Sequence, residues 1–280
     1  MTGIENISLL RPIFSIRDFT GWFTKDGRHF QILYLSLFLI YGIFNLGWNV
    51  GLTKFTVIFA VGMAVQALAL YLVKAPMHGL KSGMITCLGL CLLLKADSHW
   101  ALAIAAAVAI GSKFLIRVRG KHLFNPANIG IIAAITLTND AWISPGQWGS
   151  SIILLFLIGI LGLVVLFKVG RVDTSLGFLI TFAALDFCRT VLYLGWEPEV
   201  WLHKMQNGSL LLFAFFMITD PKTTPNAPVA RIIWSMLIGV ATFVVSNWLY
   251  FHTAPIWVLF FIAPLTVLFD RFFKHKPFQW

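Results

Sequence analysis

The chain has 280 residues, of which 59% are hydrophobic and 11% charged, with a mean hydropathy of +0.84 and a net charge of +10. Apolar sequence at this density and in long runs excludes a soluble globular enzyme and predicts a polytopic membrane protein. The three cysteines, Cys87, Cys91 and Cys188, all fall inside apolar runs, which argues against an extracellular disulfide framework.

The first 29 residues carry Arg11, Arg17, Lys25 and Arg28 without the basic, apolar and small-residue order of a cleavable signal, so they predict a cytoplasmic N-terminal arm. Ten apolar segments follow, at 31–48, 53–73, 83–94, 99–116, 126–138, 149–167, 172–194, 208–219, 229–249 and 254–270. They predict an all-α integral membrane fold of about ten transmembrane helices. Residues 30–272 form a single transmembrane domain, and 273–280 form a cytoplasmic tail. Seventeen basic residues fall on the flanks of one side, against Lys54, Lys95 and Lys204 on the other, with Arg189 inside a segment. By the positive-inside rule both termini face the cytoplasm, across the inner membrane. The basic balance then reflects orientation and contact with membrane lipid, and no nucleic acid is expected, because no basic, aromatic-interleaved soluble region exists to bind it.

The segments at 83–94, 126–138 and 208–219 span only about 18–20 Å as α-helix, against a hydrocarbon core of ~30 Å. Half-helices at membrane depth are expected. The third and eighth segments open alike, with His78 and Ser82-Gly83 in one and His203 and Asn207-Gly208 in the other. With five segments per half, a duplicated unit must insert upside down in its second copy. The predicted plan is therefore two inverted five-helix repeats, about 30–140 and 149–272.

Two stretches concentrate the chemistry. In Lys121-His122-Leu123-Phe124-Asn125-Pro126-Ala127-Asn128-Ile129-Gly130, proline fixes its own φ and pushes the preceding residue out of helix, so a helix starts at Pro126 inside the apolar zone. Its free N–H groups and positive dipole end could hold a polar or anionic group. In Phe215-Phe216-Met217-Ile218-Thr219-Asp220-Pro221-Lys222-Thr223-Thr224-Pro225, a helix ends before Pro221 with a carboxylate and three threonines clustered there. The candidate cofactor- or substrate-binding residues are therefore Asn125, Pro126, Asn128, Thr219, Asp220, Thr223 and Thr224. A capped turn explains the second cluster equally well.

Other residues carry weaker signals. Asp186 and Arg189, at i, i+3 within the seventh segment, are expected to pair, because charges at membrane depth are costly alone. Cys87 and Cys91 at i, i+4 supply at most two ligands, and no metal site is expected. Lys113 is expected to snorkel to the inner face. Trp48, Trp100, Trp142, Trp148 and Trp201 fit an interfacial aromatic belt. No nucleophile with a base, catalytic carboxylate pair or phosphate loop can be read, so no catalytic residue is assigned.

The stretches 124–130 and 216–225 resemble the two signatures of the RnfD and NqrB family of membrane subunits, and Ala263-Pro264-Leu265 through Phe269-Asp270 extend the likeness. The resemblance implies ten transmembrane helices in two inverted repeats, urea-transporter-like in outline. It also implies a subunit of a membrane electron-transfer complex, with other membrane or membrane-associated subunits as partners. In the family a flavin mononucleotide is attached to a threonine of a Ser-Gly-Ala-Thr-type motif after the first signature. This chain lacks that motif, so covalent FMN is not expected; Thr138, Ser144 and Ser150 remain as hydroxyls better read as helix-end or turn residues. In length and in this lack it is similar to shortened RnfD-like proteins found beside enediyne-type biosynthetic clusters. The expectation is a membrane subunit, at most part of an oxidoreductase, with any flavin (FMN or riboflavin) or quinone bound non-covalently. A small-solute or ion transporter of the same fold and a non-catalytic scaffold are the alternatives.

Overall fold

The computed structural model describes residues 26–48, 51–148 and 152–278. The expected N-terminal arm lies outside these residues up to position 25. The first helix, α1 (Gly27–Phe44), begins four residues ahead of the apolar pattern. Asp26 makes this possible: its carboxylate accepts from the backbone N–H of Arg28 at 3.0 Å and is gripped by the Arg28 guanidinium. Burial pushes the Asp26 carboxyl up, but hydrogen bonds from Arg28 and Lys81 outweigh it and hold the group well below the usual carboxylate range.

α2 (Leu52–Leu72) is long enough to cross a bilayer. The chain then makes a 3₁₀ turn at Met77–Gly79 and enters α3 (Leu80–Leu93), which gives way to strand β1 (Leu94–Ala96). α4 (His99–Leu115) leads through a small hairpin, β2 (Arg117–Val118) and β3 (Lys121–His122), into α5 (Pro126–Thr138) and strand β4 (Ala141–Ile143). β4 pairs antiparallel with β1, Lys95 opposite Trp142, closing the ends of α3 and α5 together.

The second half runs α6 (Ile152–Val169), α7 (Val172–Phe187) widening into a π-helix at Cys188–Tyr193, and a short polar helix α8 (Pro198–Met205). α9 (Gly208–Leu212) also widens, into a π-helix at Phe213–Met217. α10 (Pro228–Trp248) and α11 (Ala254–Ile262) follow, the latter continuing through a 3₁₀ turn into α12 (Thr266–Phe272). Among the described residues, five helical stretches are long and apolar enough to span a membrane: α1, α2, α7 with its π extension, α10, and α11 through α12. Shorter apolar stretches lie around α3, α4, α5 and α9, and α6 carries a further apolar stretch, Phe156–Val169 among the described residues.

The helices pack in matching patterns in the two halves. α1 packs on α3 as α6 does on α9; α2 on α4 as α7 on α10; α4 on α5 as α10 on α11. Across the halves, α1 meets α6 and α5 meets α11. Lipid gives little hydrophobic drive between helices, so close approach depends on small residues. At Gly130 of α5 a Cβ would lie 2.6 Å from the carbonyl oxygen of Ala105 on α4, and at Gly239 of α10 it would press on Thr181 and the Phe178 carbonyl of α7.

Two expectations fail here. Trp48 and Trp148 are buried rather than interfacial: their rings meet edge to face at 4.8 Å, and Trp48 Nε1 donates to the Gln147 carbonyl, while Trp100 and Trp142 are exposed as a belt requires. Lys113 does not snorkel. It is 2% exposed and its ammonium donates to Ser82 O at 2.8 Å, because the first turn of α3 offers acceptors closer than any aqueous face.

Candidate functional site

The start of α5 is fixed by its own sequence. Asn125, extended at φ −61° and ψ 127°, caps the helix by accepting from Asn128 N at 3.1 Å, and Pro126 takes the first helical position. Both amides then reach across to the other half of the chain. Asn125 Nδ2 donates to Met217 O at 3.1 Å, at the π-helical end of α9. Asn128 Nδ2 donates to Ile256 O at 2.8 Å, in the first turn of α11, while its Oδ1 is buried without a partner. Phe124 stacks on Phe260 of the same helix, ring centroids 4.8 Å apart. The Met217 carbonyl, which otherwise accepts from Asp220 N at a long 3.5 Å, thereby gains a closer side-chain donor.

The second stretch is a knot rather than an open binding loop. Thr219 Oγ1 donates back to Phe215 O at 2.7 Å. The Asp220 carbonyl accepts from Thr223 N, Thr224 N and Thr223 Oγ1, while its carboxylate accepts from Lys222 N. Thr224 Oγ1 accepts from Arg171 Nε at 3.0 Å and Thr224 O from Lys121 Nζ at 2.5 Å. Lys121 also pairs with Asp270 at 2.6 Å, and Asp270 accepts from Asn226 N. Thr266 Oγ1 donates to Thr223 O. The three family-like stretches thus meet at one end of the molecule. Residues near the C-terminus join them: Lys222 Nζ donates to Phe278 O, and the Arg171 guanidinium lies over the Phe278 ring.

Between the two stretches lies a cleft lined by Arg28 and Gln31 of α1, Ser82 and Thr86 of α3, His122, Asn125, Asp220 and Lys222, with Leu35, Leu92 and Phe216 among its apolar walls. Its enclosed part is about 100 Å³, and about 850 Å³ with the open mouth. Burial, reinforced by the cations Lys113, Arg117 and Lys222, pushes His122 down to about 3, so its imidazole is neutral. Its Nδ1 is buried without a partner. Burial likewise lowers Lys222, against the pull of Asp220.

Of the seven residues expected to bind, Asn125, Pro126 and Asp220 line this cleft. Asn128, Thr219, Thr223 and Thr224 are buried behind it in the bonds just described. Reading the two motifs alone missed Arg28, Gln31, Ser82 and Thr86. Their spacings, i, i+3 on α1 and i, i+4 on α3, were the available signal. The expected Asp186–Arg189 pair does not form. Asp186, fully buried, pairs with Lys204 of α8 at 2.6 Å and accepts from Asn247 Nδ2 at 3.2 Å. The helix widens at Cys188, which carries Arg189 off the Asp186 face; its guanidinium donates to Asn247 O and lies over the Trp248 ring. Cys87 Sγ donates to the Ile58 carbonyl inside the helix packing.

Among the described residues, five membrane-length apolar helices packed with further apolar helices make this a multi-pass membrane protein. Its sequence matches the profile of the NQR2, RnfD, RnfE family over residues 132–279, just over half of the chain, and it belongs to that family. It is also similar to the D subunit of the ion-translocating oxidoreductase complex of Stutzerimonas stutzeri, 31% identical over 131 residues, which is 46% of this chain. That stretch spans 36% of the relative's length. The first family-like stretch, 124–130, precedes the profile match; the second lies within it.

Proposed function

We propose that this protein is a membrane subunit of an electron-transfer complex, and that the cleft between the two stretches holds the polar edge of a non-covalent flavin or quinone. The observation that carries this reading is the bond from Asn125 to Met217 O, which joins the two family-like stretches at a shared cleft. Membership of a family that includes a subunit named for ion-translocating oxidoreduction supports it. Partner subunits follow from the same name.

Fit to a flavin is partial. The orphaned His122 Nδ1, the hydroxyls of Ser82 and Thr86 and the cations Arg28 and Lys222 suit a polar ring edge. The enclosed 100 Å³ is below the ~300–1,000 Å³ of sites that take a whole ligand, so most of such a group would sit in the mouth. Covalent attachment has no support. Besides the missing motif, the Thr138 hydroxyl donates to Ala134 O at 2.6 Å as a helix-end residue, and Ser150 lies outside the described residues. When bound, a flavin would supply the redox chemistry; the protein's own groups would orient it and exclude water.

We read the ten apolar helices as two inverted five-helix repeats, supported by the matching packing patterns and by first-turn prolines at Pro126 and Pro255. The charge bias supports an inner-membrane location with both termini cytoplasmic. The test is an absorption spectrum of purified protein before and after acid precipitation. Flavin bands that leave with the supernatant, and weaken in His122→Leu, support the site. Bands retained in the pellet would overturn the non-covalent reading, and a colourless protein would favour transport through the same fold.

A further inference from the structure

A second cavity is larger than the one between the family-like stretches. It lies among the end of α7, α9, the end of α10 and the start of α11, and encloses about 620 Å³, within the ~300–1,000 Å³ range of small-molecule sites. Its walls are mostly apolar, with Phe182, Leu210, Phe213 and Ile256 buried against it. Besides His252, its lining holds the charged side chains Asp186, Arg189 and Lys204. Among the described residues Asp186 is its sole carboxylate, and that charge is matched by Lys204 at 2.6 Å. Arg189 is in none of the ion pairs among the described residues; its partners are a backbone carbonyl and the face of Trp248. One positive charge, on a partly exposed side chain, is therefore left over at the wall of a largely apolar chamber. Ser209 Oγ, also in the wall, is buried without a partner.

We propose that this cavity binds a monoanionic amphiphile, an acyl chain lying along the Phe182–Phe213 wall with its carboxylate or phosphate on Arg189. A guanidinium at membrane depth is costly unless paired, and its planar fork suits both head groups. A small ion alone would balance the charge but leave the apolar wall without a partner. A neutral lipid would fill the wall and leave the charge.

The test uses the full chain in nanodiscs of zwitterionic phosphatidylcholine, with empty nanodiscs as background and cis-parinaric acid as the fluorescent probe. Oleate should displace the probe at about one-tenth the concentration that oleyl alcohol needs, the worth of one charge-assisted bond. Arg189→Gln should abolish that preference, leaving the alcohol unaffected, and Arg189→Lys should keep part of it. Leu210→Trp, which fills the chamber, should weaken acid and alcohol alike and guards against a misfolded Arg189 variant. Dioleoyl phosphatidate outcompeting oleate would identify a lipid head group, and the reverse a free acid; both support the site. Equal displacement by oleate and its alcohol, an unchanged Arg189→Gln, or displacement by FMN where oleate fails would each overturn it.

Discussion

The two cavities are held in shape by opposite means. At the cleft beside α5, a neutral amide crosses between the halves: Asn125 caps its own helix and bonds a carbonyl of α9. At the larger cavity an ion pair does the equivalent work, Asp186 on α7 holding Lys204 on α8 and Asn247 on α10. Neutral hydrogen bonds ask for direction and little else, whereas a buried charge must be balanced at every protonation state. The difference teaches that the tie across the cleft should be indifferent to charge and sensitive to geometry, and the tie at the larger cavity the reverse.

The sharpest break is at the ion pair, and its two ends are not equivalent. Lys204→Ala strands a carboxylate that is fully buried, a loss of about 3–5 kcal/mol. Asp186→Asn leaves an ammonium whose side chain is 41% exposed and can turn to water, so it should cost less, about 2 kcal/mol. Unfolding in mixed micelles reads both; the opposite order would show that Asp186 is not the buried end. Next comes Asn125→Ala, which removes a cap and leaves Met217 O with only the long 3.5 Å bond from Asp220 N. About 2–3 kcal/mol is expected, combining the usual cap and buried-group costs, and the same midpoint measurement at low and high salt should give the same loss.

A pH series separates the regions further. His122 is pushed down to about 3, below the ~6.5 of an unfolded histidine, so its contribution is full above that value and is lost as pH falls toward 3. Between pH 7 and 5.5 the melting point should fall by an amount equivalent to about 1 kcal/mol, and His122→Asn should flatten that slope. An equal slope in the variant would assign the acid sensitivity to another group. The smallest effect lies away from both cavities. A Cβ at Gly111 of α4 meets nothing within 4 Å, so Gly111→Ala should stabilise by about 0.5–1 kcal/mol through helix propensity, visible as a small rise in melting temperature.

Much of the fold was legible in the apolar runs. The structure places a helix on each of the ten segments, and α5 starts at the residue Pro126 dictated. What escaped were features that depend on a distant partner. Nothing local says that Asn128 will bond Ile256, or that Lys113 will find Ser82 before it finds water. The Asp186–Arg189 reading failed because i, i+3 spacing presumes an α-helix, and a π turn intervenes. Similarly, the threonines at 223 and 224 looked like ligands because hydroxyls beside a carboxylate suit binding and turn-making equally. The cleft needed α1 and α3, whose polar residues were scattered over the sequence but stand together once the helices pack.

The π turn in α9 bears on where the two halves differ in length. From Gly83 to the start of α4 at His99 the chain takes sixteen residues; from Gly208 to the start of α10 at Pro228 it takes twenty. A wide turn accommodates a residue that an α-helix would have to expel, and the loop from Pro221 to Asn226 takes up the rest. The first half, without that surplus, closes with the short strand β1 instead. The Thr-Asp-Pro stretch thus sits in the longer of the two connections, and the two halves are closed off by different means.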